Sequence, residues 1–313
     1  MSTATPLRAA AWCARAVQTF NAFYLSCRLY LHARIFEINT FSMIYYKIPA
    51  PPGLASYVRF FWVLEGSLSG GESYIHRSVA DGSAEMIFHY NGLFETLKGP
   101  STTTAFRAGV DGQSSQFRRY QVQESFGIFG AYLFPYAIPA LFGHAAHVLS
   151  NQMPDLHTLL GQEGKDLEER MMMAADNDER MSVLSKFLLN RLRKYQAPWS
   201  GIFAAISHII QTKGTTDVKA LAANVCLSTR QFERKFKESA GFSPKLYSRI
   251  TRFQAAIAKY GNVNKSLADV AYDCGYYDQS HFIHDFKEFS GYHPRHYFKE
   301  ETESTRWKES EQE

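Results

Sequence analysis

Along this chain of 313 residues the hydrophobic pattern changes period near the middle. From Pro49 to about Pro135 the apolar positions come in short bursts. Residues 57–64 are a β-branched and aromatic run, and residues 84–90 alternate in part. Residues 116–123 alternate more cleanly, and residues 125–134 close the series. Gly70 with Gly71, Asp81 with Gly82, Asn91 with Gly92, and Asp111 with Gly112 punctuate these runs as turns. Several short strands at this spacing predict a small barrel or sandwich. After Pro139 the period lengthens. Met181, Leu184, Phe187, Leu188 and Leu192 mark one stripe of a helix over about residues 178–194. Residues 196–200 read as a linker in which Pro198 stops that helix. Beyond it, Ile202, Phe203, Ile206, Ile209 and Ile210 form the apolar face of a further helix.

The last hundred residues contain a repeat. Leu221-Ala222 returns as Val270-Ala271, Phe232 as Phe282, Phe236 as Phe286, Gly241 as Gly291, Pro244 as Pro294 and Tyr247 as Tyr297. The offset is forty-nine before the turn and fifty after it, so one residue has been added within the turn. Each copy reads as short helix, tight turn, second helix, the pattern of a helix-turn-helix. Local signals agree with it. Ser228 with Gln231 is a capping box, and Ser266 with Asp269 is its acidic version. Pro244 and Pro294 fall at first helical positions, and Gly241 and Gly291 where the second helices should stop.

Two such units on one polypeptide predict two reading heads for successive major grooves. In the first, Phe232 and Phe236 face inward, leaving Arg230, Gln231, Glu233, Arg234 and Lys237 outside. Arginine pairs its fork with guanine O6 and N7, contributing about 1–3 kcal/mol of discrimination per good contact. In the second, Phe282, Phe286 and Phe289 face the core. Gln279, Ser280, His281, Ile283, His284 and Lys287 remain for the duplex. Gln reads adenine and Ile283 touches a thymine methyl, so this head is expected to discriminate less. A strong helix over residues 247–257 would hold the heads roughly 34 Å apart, one turn of DNA. Lys237, Lys245, Arg249, Arg252, Lys287 and Arg295 are the expected phosphate contacts. For a single helix the plainer reading is a solvated face with an ordinary Glu233–Lys237 pair. The duplicated context reverses that preference.

Composition sharpens this in one place. The whole chain is only mildly basic at +4, but residues 201–299 hold fourteen Lys and Arg against eight Asp and Glu. Residues 300–313 carry six Glu against Arg306 and Lys308 and read as an acidic disordered tail. A local basic surplus is the electrostatic footprint of a nucleic-acid binder. Cys13, Cys27, Cys226 and Cys274 show no metal-ligand spacing, which fits free thiols in a reducing cytoplasm. Residues 1–42 have Arg8, Arg15, Arg28 and Arg34 with no acid before Glu37. Their apolar stretches are too broken for a membrane span. They read as a disordered extension or as translation from an upstream start, with an amphipathic surface segment as the alternative.

The C-terminal pattern resembles the AraC/XylS family of bacterial transcription regulators over about residues 201–299. The likeness rests on Leu221-Ala222, the run 228–236, the run 241–244 and Tyr247. It continues through Arg252, Ala256, residues 269–271, Gly275-Tyr276, residues 278–282, Phe286-Lys287, Gly291, Pro294 and Tyr297. It implies seven helices that bind a promoter with both recognition helices in the major groove. Where the family commonly has Arg in its second recognition helix, this chain has His284, which puts a guanine contact there in question. Residues 58–65 and 80–89 resemble the sensor modules found ahead of such domains, implying a cupin-like barrel used for sensing or self-association.

The expected protein is α+β. A cupin-like barrel with trailing helices spans residues 43–195, and an all-α domain with two helix-turn-helix units spans residues 201–299. It is a regulator that reads double-stranded DNA, takes a small-molecule effector, and meets RNA polymerase and a second copy of itself. No enzyme activity, metal, cofactor or membrane is expected. Two alternatives stay open. One is a protein that binds DNA through charge alone, and the other is a barrel enzyme fused to a DNA-binding domain. For the enzyme, His76, Asp81, Glu85 and His89 would line a cavity, although Asp81 and Gly82 read first as a turn. His144 and His147 have the spacing of a surface pair. A DNA-repair activator with a zinc-held acceptor cysteine is excluded, because Cys13 and Cys27 provide too few ligands.

Overall fold

The computed structural model describes residues 34–38, 41–68, 73–98, 101–103, 106–195, 201–260 and 266–298. Among these residues ten strands come first: β1 (Arg34–Ile38), β2 (Phe41–Pro49), β3 (Val58–Leu68), β4 (Tyr74–Ser78), β5 (Ala84–Asn91), β6 (Glu95–Lys98), β7 (Ser101–Thr103), β8 (Ala108–Asp111), β9 (Arg118–Val122) and β10 (Phe126–Leu133). They form two antiparallel sheets, ordered β1-β2-β3-β10-β5-β8 and β4-β9-β6-β7. Strand pairing begins earlier than the expected start at Met43. Arg34 to Ile38 pair with Tyr45 to Phe41, so part of the stretch read as disordered is built into the sheet.

The side-chain period of two decides how the layers stack. On β3, Phe61 and Val63 point to one face of the larger sheet, and Trp62 and Leu64 to the other. The first face packs on helices α1 (Ala137–Phe142), α2 (Ala146–Leu149), α3 (Leu156–Leu160), α4 (Gln162–Met173) and α5 (Asn177–Lys194). Phe88, Phe129, Leu141, Leu167, Met171, Leu184 and Leu188 are buried together there. The second face meets Tyr74, Phe94 and Val122 of the smaller sheet region. The two sheets thereby enclose a cavity. The stripe expected over residues 178–194 is α5, with Leu184 and Leu188 fully buried and Met181, Phe187 and Leu192 partly so.

The linker expected at residues 196–200 lies outside the described residues. Among the described residues seven helices follow: α6 (Gly201–Gln211), α7 (Val218–Asn224), α8 (Thr229–Ala240), α9 (Pro244–Tyr260), α10 (Leu267–Asp273), α11 (Gln279–Ser290) and α12 (Pro294–Tyr297). Their core gathers Ile202, Ile206 and Ile209 with Phe232, Phe236, Phe253, Phe282, Phe286 and Phe289. The added turn residue can be placed. Cys226 and Gly275 hold equivalent positive-φ positions at +55° and +73°. The following residues, Leu227 and Tyr276, both donate back to the preceding helix, at Ala222 and Ala271. The extra residue is Tyr277, which is left exposed before the next helix begins.

The strand-rich region and the helical domain share one core. Ala80, Phe134 and Tyr136 belong to the same buried cluster as the recognition helices, and Tyr136 stacks on Phe203 at 4.7 Å. The backbone N–H of Ala80 donates to Phe289 O at 2.9 Å, and Gln254 Nε2 donates to Ala80 O at 2.5 Å.

Candidate nucleic-acid interface

The start of each recognition helix is fixed by a side-chain cap, which satisfies backbone donors that have no partner inside the helix. For α8 the capping box is complete. Ser228 Oγ accepts from the Gln231 N–H, and Gln231 Oε1 accepts from the Ser228 N–H. For α11, Asp278 Oδ1 accepts from the His281 N–H at 2.8 Å. This hydrogen bond, the largest cause, holds the Asp278 carboxyl below its usual range. The first helix of the second unit, α10, carries its own complete box of Ser266 and Asp269. Both recognition helices end on the expected glycines, Gly241 with φ +84° and Gly291 with φ +77°, a backbone region that favours glycine.

With Phe232 and Phe236 fully buried, Arg230, Gln231, Glu233, Arg234 and Lys237 stand exposed on α8. Arg234 makes an exposed pair with Glu238 at 3.5 Å, the kind that contributes roughly 0.3–0.5 kcal/mol and yields readily to a stronger partner. Gln231 is exposed, yet its carbonyl oxygen is engaged by Ser228, so it serves the cap first.

On α11, Ser280, His281, His284 and Lys287 are exposed, while Gln279 and Ile283 are half-buried. Ile283 packs against the helical core. His281 Nδ1 lies 3.2 Å from Asp278, and His284 Nδ1 lies 3.7 Å from both Asp285 and Glu288. Neither polar face is covered by the strand-rich region.

Two of the expected phosphate contacts have partners within the protein. Arg249 donates to Asp285 at 2.7 Å and to Glu288 at 2.5 Å, and its guanidinium lies 5.1 Å from the centre of the Phe289 ring. Its charge is already balanced, and it pins α11 to α9. Arg252 is half-buried, with its guanidinium 5.3 Å from the centre of the Tyr276 ring beside the second turn. Lys237, Lys245, Lys287 and Arg295 are exposed. Among the described residues, His284, Asp285 and Glu288 are the one grouping able to offer three metal ligands, and Arg249 already occupies both of its carboxylates.

In the strand-rich region, the cavity between the sheets has a volume of about 620 Å³, within the usual range for a site of drug-sized ligands. Trp62, Ile87, His89, Phe94 and Ile128 line its apolar part, and His76, Glu85, Asp111, Arg118 and Tyr120 its polar part. Burial lowers the pKa of His89 to about 4, so its imidazole is neutral at pH 7. Arg118 pairs with Asp111. Of the four residues weighed as a cavity lining, His76, Glu85 and His89 do line this cavity. Asp81 turns the chain, accepting from the Ser83 N–H at 2.9 Å and from the Tyr132 hydroxyl. His144 and His147 are surface residues.

The contacts that tie the strand-rich region to the helices span long stretches of sequence. Arg77 and Ser290 meet across 213 positions, and Ser150 and Gly241 across 91. No local spacing signals either pair.

Comparison with known proteins agrees with the helical domain. Residues 221–300 match the family described as a helix-turn-helix domain, and residues 46–155 match a domain of unknown function. Over 81 residues the chain is 33% identical to the HTH-type transcriptional regulator ArgR of Pseudomonas aeruginosa, covering 26% of this chain and 24% of that protein. Over 76 residues it is 32% identical to the HTH-type transcriptional activator RhaS of Escherichia coli, covering 24% and 27%. The chain thus spans about a quarter of the length of the curated relatives it matches. Among solved structures it is similar to ToxT from Vibrio cholerae at TM-score 0.41 and 14% identity, covering 83% of this chain and 98% of that one. Among the described residues no helix is long and apolar enough to cross a membrane.

Proposed function

We propose that this chain, whose residues 221–300 form a helix-turn-helix domain of the AraC type, is a sequence-specific transcription regulator that reads two adjacent major-groove segments. The observation that carries this reading is the pair of exposed polar faces, on α8 and α11, built on one buried frame and joined by the continuous helix α9. A duplex offers successive major-groove faces about 34 Å apart, which suits two heads joined through α9. Arg230, Glu233 and Arg234 read bases in the first segment. Ser280, His281 and His284 read the second with weaker discrimination, helped by Gln279 and Ile283 at its edge. Lys237, Lys245, Lys287 and Arg295 hold phosphates, setting position without reading sequence.

The effector is a small molecule that enters the cavity between the sheets, where neutral His89 and the Arg118–Asp111 pair offer polar contacts beside an apolar wall. RNA polymerase and a second copy of the chain are the macromolecular partners besides DNA, and the cytoplasm is where these meet.

Selection of binding sites from random DNA by the purified full chain tests the reading. A recovered motif of two half-elements about one helical turn apart is expected. Binding that is indifferent to base sequence and steeply dependent on salt would instead show a protein held by charge alone.

A further inference from the structure

We propose that residues adjoining the cavity between the sheets set the separation of the two recognition helices by holding the C-terminal end of each, against its terminal glycine. The inference rests on the regulator reading above and specifies how the reading heads are governed.

Gly241 and Gly291 are fifty residues apart and equivalent in the repeat. Each is docked on the sensor. At the first, Ser150 Oγ donates to Gly241 O at 3.0 Å. A Cβ on Gly241 would lie 2.5 Å from Ser150 Oγ and 3.0 Å from Gln113 Oε1, so the sensor surface fits the bare backbone. At the second, Arg77 Nη1 donates to Ser290 O at 3.3 Å. A Cβ on Gly291 would lie 2.6 Å from that same nitrogen and 2.6 Å from the Phe117 ring. The buried Arg77 guanidinium lies 4.5 Å from the centre of the Phe117 ring and 4.1 Å from that of Tyr292.

Phe117 lines the cavity, and Arg77, Gln113 and Ser150 adjoin residues that do. Ser115 donates to Asn151 Oδ1 through its N–H and its hydroxyl, at 2.8 and 3.2 Å, and the Asn151 N–H donates to Gln113 O at 2.8 Å. This ties the segment of Gln113 and Phe117 to the segment of Ser150. Phe117, Asn151 and Gln152 also line the cavity. On β4 the alternation of the strand does the rest. His76 and Ser78 line the cavity, and Arg77 between them reaches the second unit. A molecule seated between the sheets therefore touches the neighbours of the residues that hold both caps. Two heads held at both caps have one separation, and released heads have a range of them. On DNA a single separation appears as intolerance of altered half-site spacing.

The test uses the full chain and its selected DNA site, with one base pair inserted or removed between the half-elements. The wild-type chain should lose about tenfold in affinity on either change, and the Arg77→Gln/Ser150→Ala variant no more than about threefold. Hydrogen exchange at the amides of residues 238–242 and 286–292 should quicken in the variant. Faster exchange with an unchanged spacing penalty would overturn the proposal, as would undiminished protection of those amides. Should the double variant fold poorly, Arg77→Lys keeps the charge but loses the planar stack, and an intermediate spacing penalty is then expected. A wild-type penalty equal to that of Arg77→Lys would overturn it. A wild-type chain that selects no sequence at all would instead defeat the regulator reading, and that result appears before any variant is made.

Discussion

In the first helix-turn-helix unit Ser228 caps the recognition helix and Ser243 the helix after it; fifty residues on, the same two posts are held by Asp278 and His293. The reading faces differ in the same direction. Arg230 and Arg234 of the first correspond to Ser280 and His284 of the second. Anchoring differs as well, because α11 is pinned to α9 by Arg249 while Lys235, the counterpart of Asp285, stands exposed on α8. The buried phenylalanines and the terminal glycines are the same in both. Packing and backbone conformation thus fix the frame, and the solvent face is left to diverge in chemistry.

The largest effect should come from breaking the shared frame. Phe236 touches the rings of Phe232 and Tyr247, whereas Phe286 touches those of Phe253, Phe282, Tyr297 and Phe298. Phe236→Ala and Phe286→Ala should each cost about 3–5 kcal/mol in urea unfolding, with Phe286→Ala the worse. A larger loss at Phe236 would reverse the ranking of the two positions. Next comes the anchor. Arg249→Met leaves the buried Asp285 carboxylate without its partner, at about 2 kcal/mol. Lys235→Met should stay within about 0.5 kcal/mol. Equal costs would show that the second unit gains nothing from its clamp.

The reading faces follow. Arg234→Ala should weaken binding to the selected site by about 1–3 kcal/mol and change binding to random DNA far less. His284→Ala should cost under about 1 kcal/mol on the selected site. Equal loss on selected and random DNA would assign Arg234 to phosphates, and a larger loss at His284 would make the second head the stronger reader.

Where local chemistry decides the structure, the sequence was legible. Both capping boxes, both terminal glycines and the buried phenylalanines follow from i+3 and i+4 relations, and the structure places them as expected. The strands over residues 84–90 and 125–134 likewise follow from composition and turn residues. What the sequence left hidden depends on long separations. Arg249 looked like a phosphate ligand because its partners Asp285 and Glu288 lie 36 and 39 residues away. Arg77 carried no signal at all, since its value arises only where β4 meets the end of α11. The strand over residues 34–38 was missed for a similar reason, because its support is the neighbouring strand and not its own pattern.

The smallest expected effect separates the two units by acid. His293 Nδ1 accepts from the Arg295 N–H at 3.2 Å, which requires a neutral ring. Burial lowers the pKa of His293 below the usual 6.5, helped by the charges of Lys287, His296 and Arg295. Its contribution is therefore complete above pH 6.5 and is lost as pH falls through the depressed folded value. The Asp278 contribution is complete above pH 3.8 and is lost as pH falls through a lower folded value. Ser228 and Ser243 do not titrate in this range. On lowering the pH from neutral, protection of the Arg295 amide should fall first and that of the His281 amide later. The Gln231 and Leu246 amides, corrected for intrinsic exchange, should hold until global unfolding. His293→Ser should abolish the first step and make the second unit behave like the first. If Leu246 lost protection in step with Arg295, the acid response would belong to the whole helical domain, and the contrast between serine and titratable caps would be without consequence.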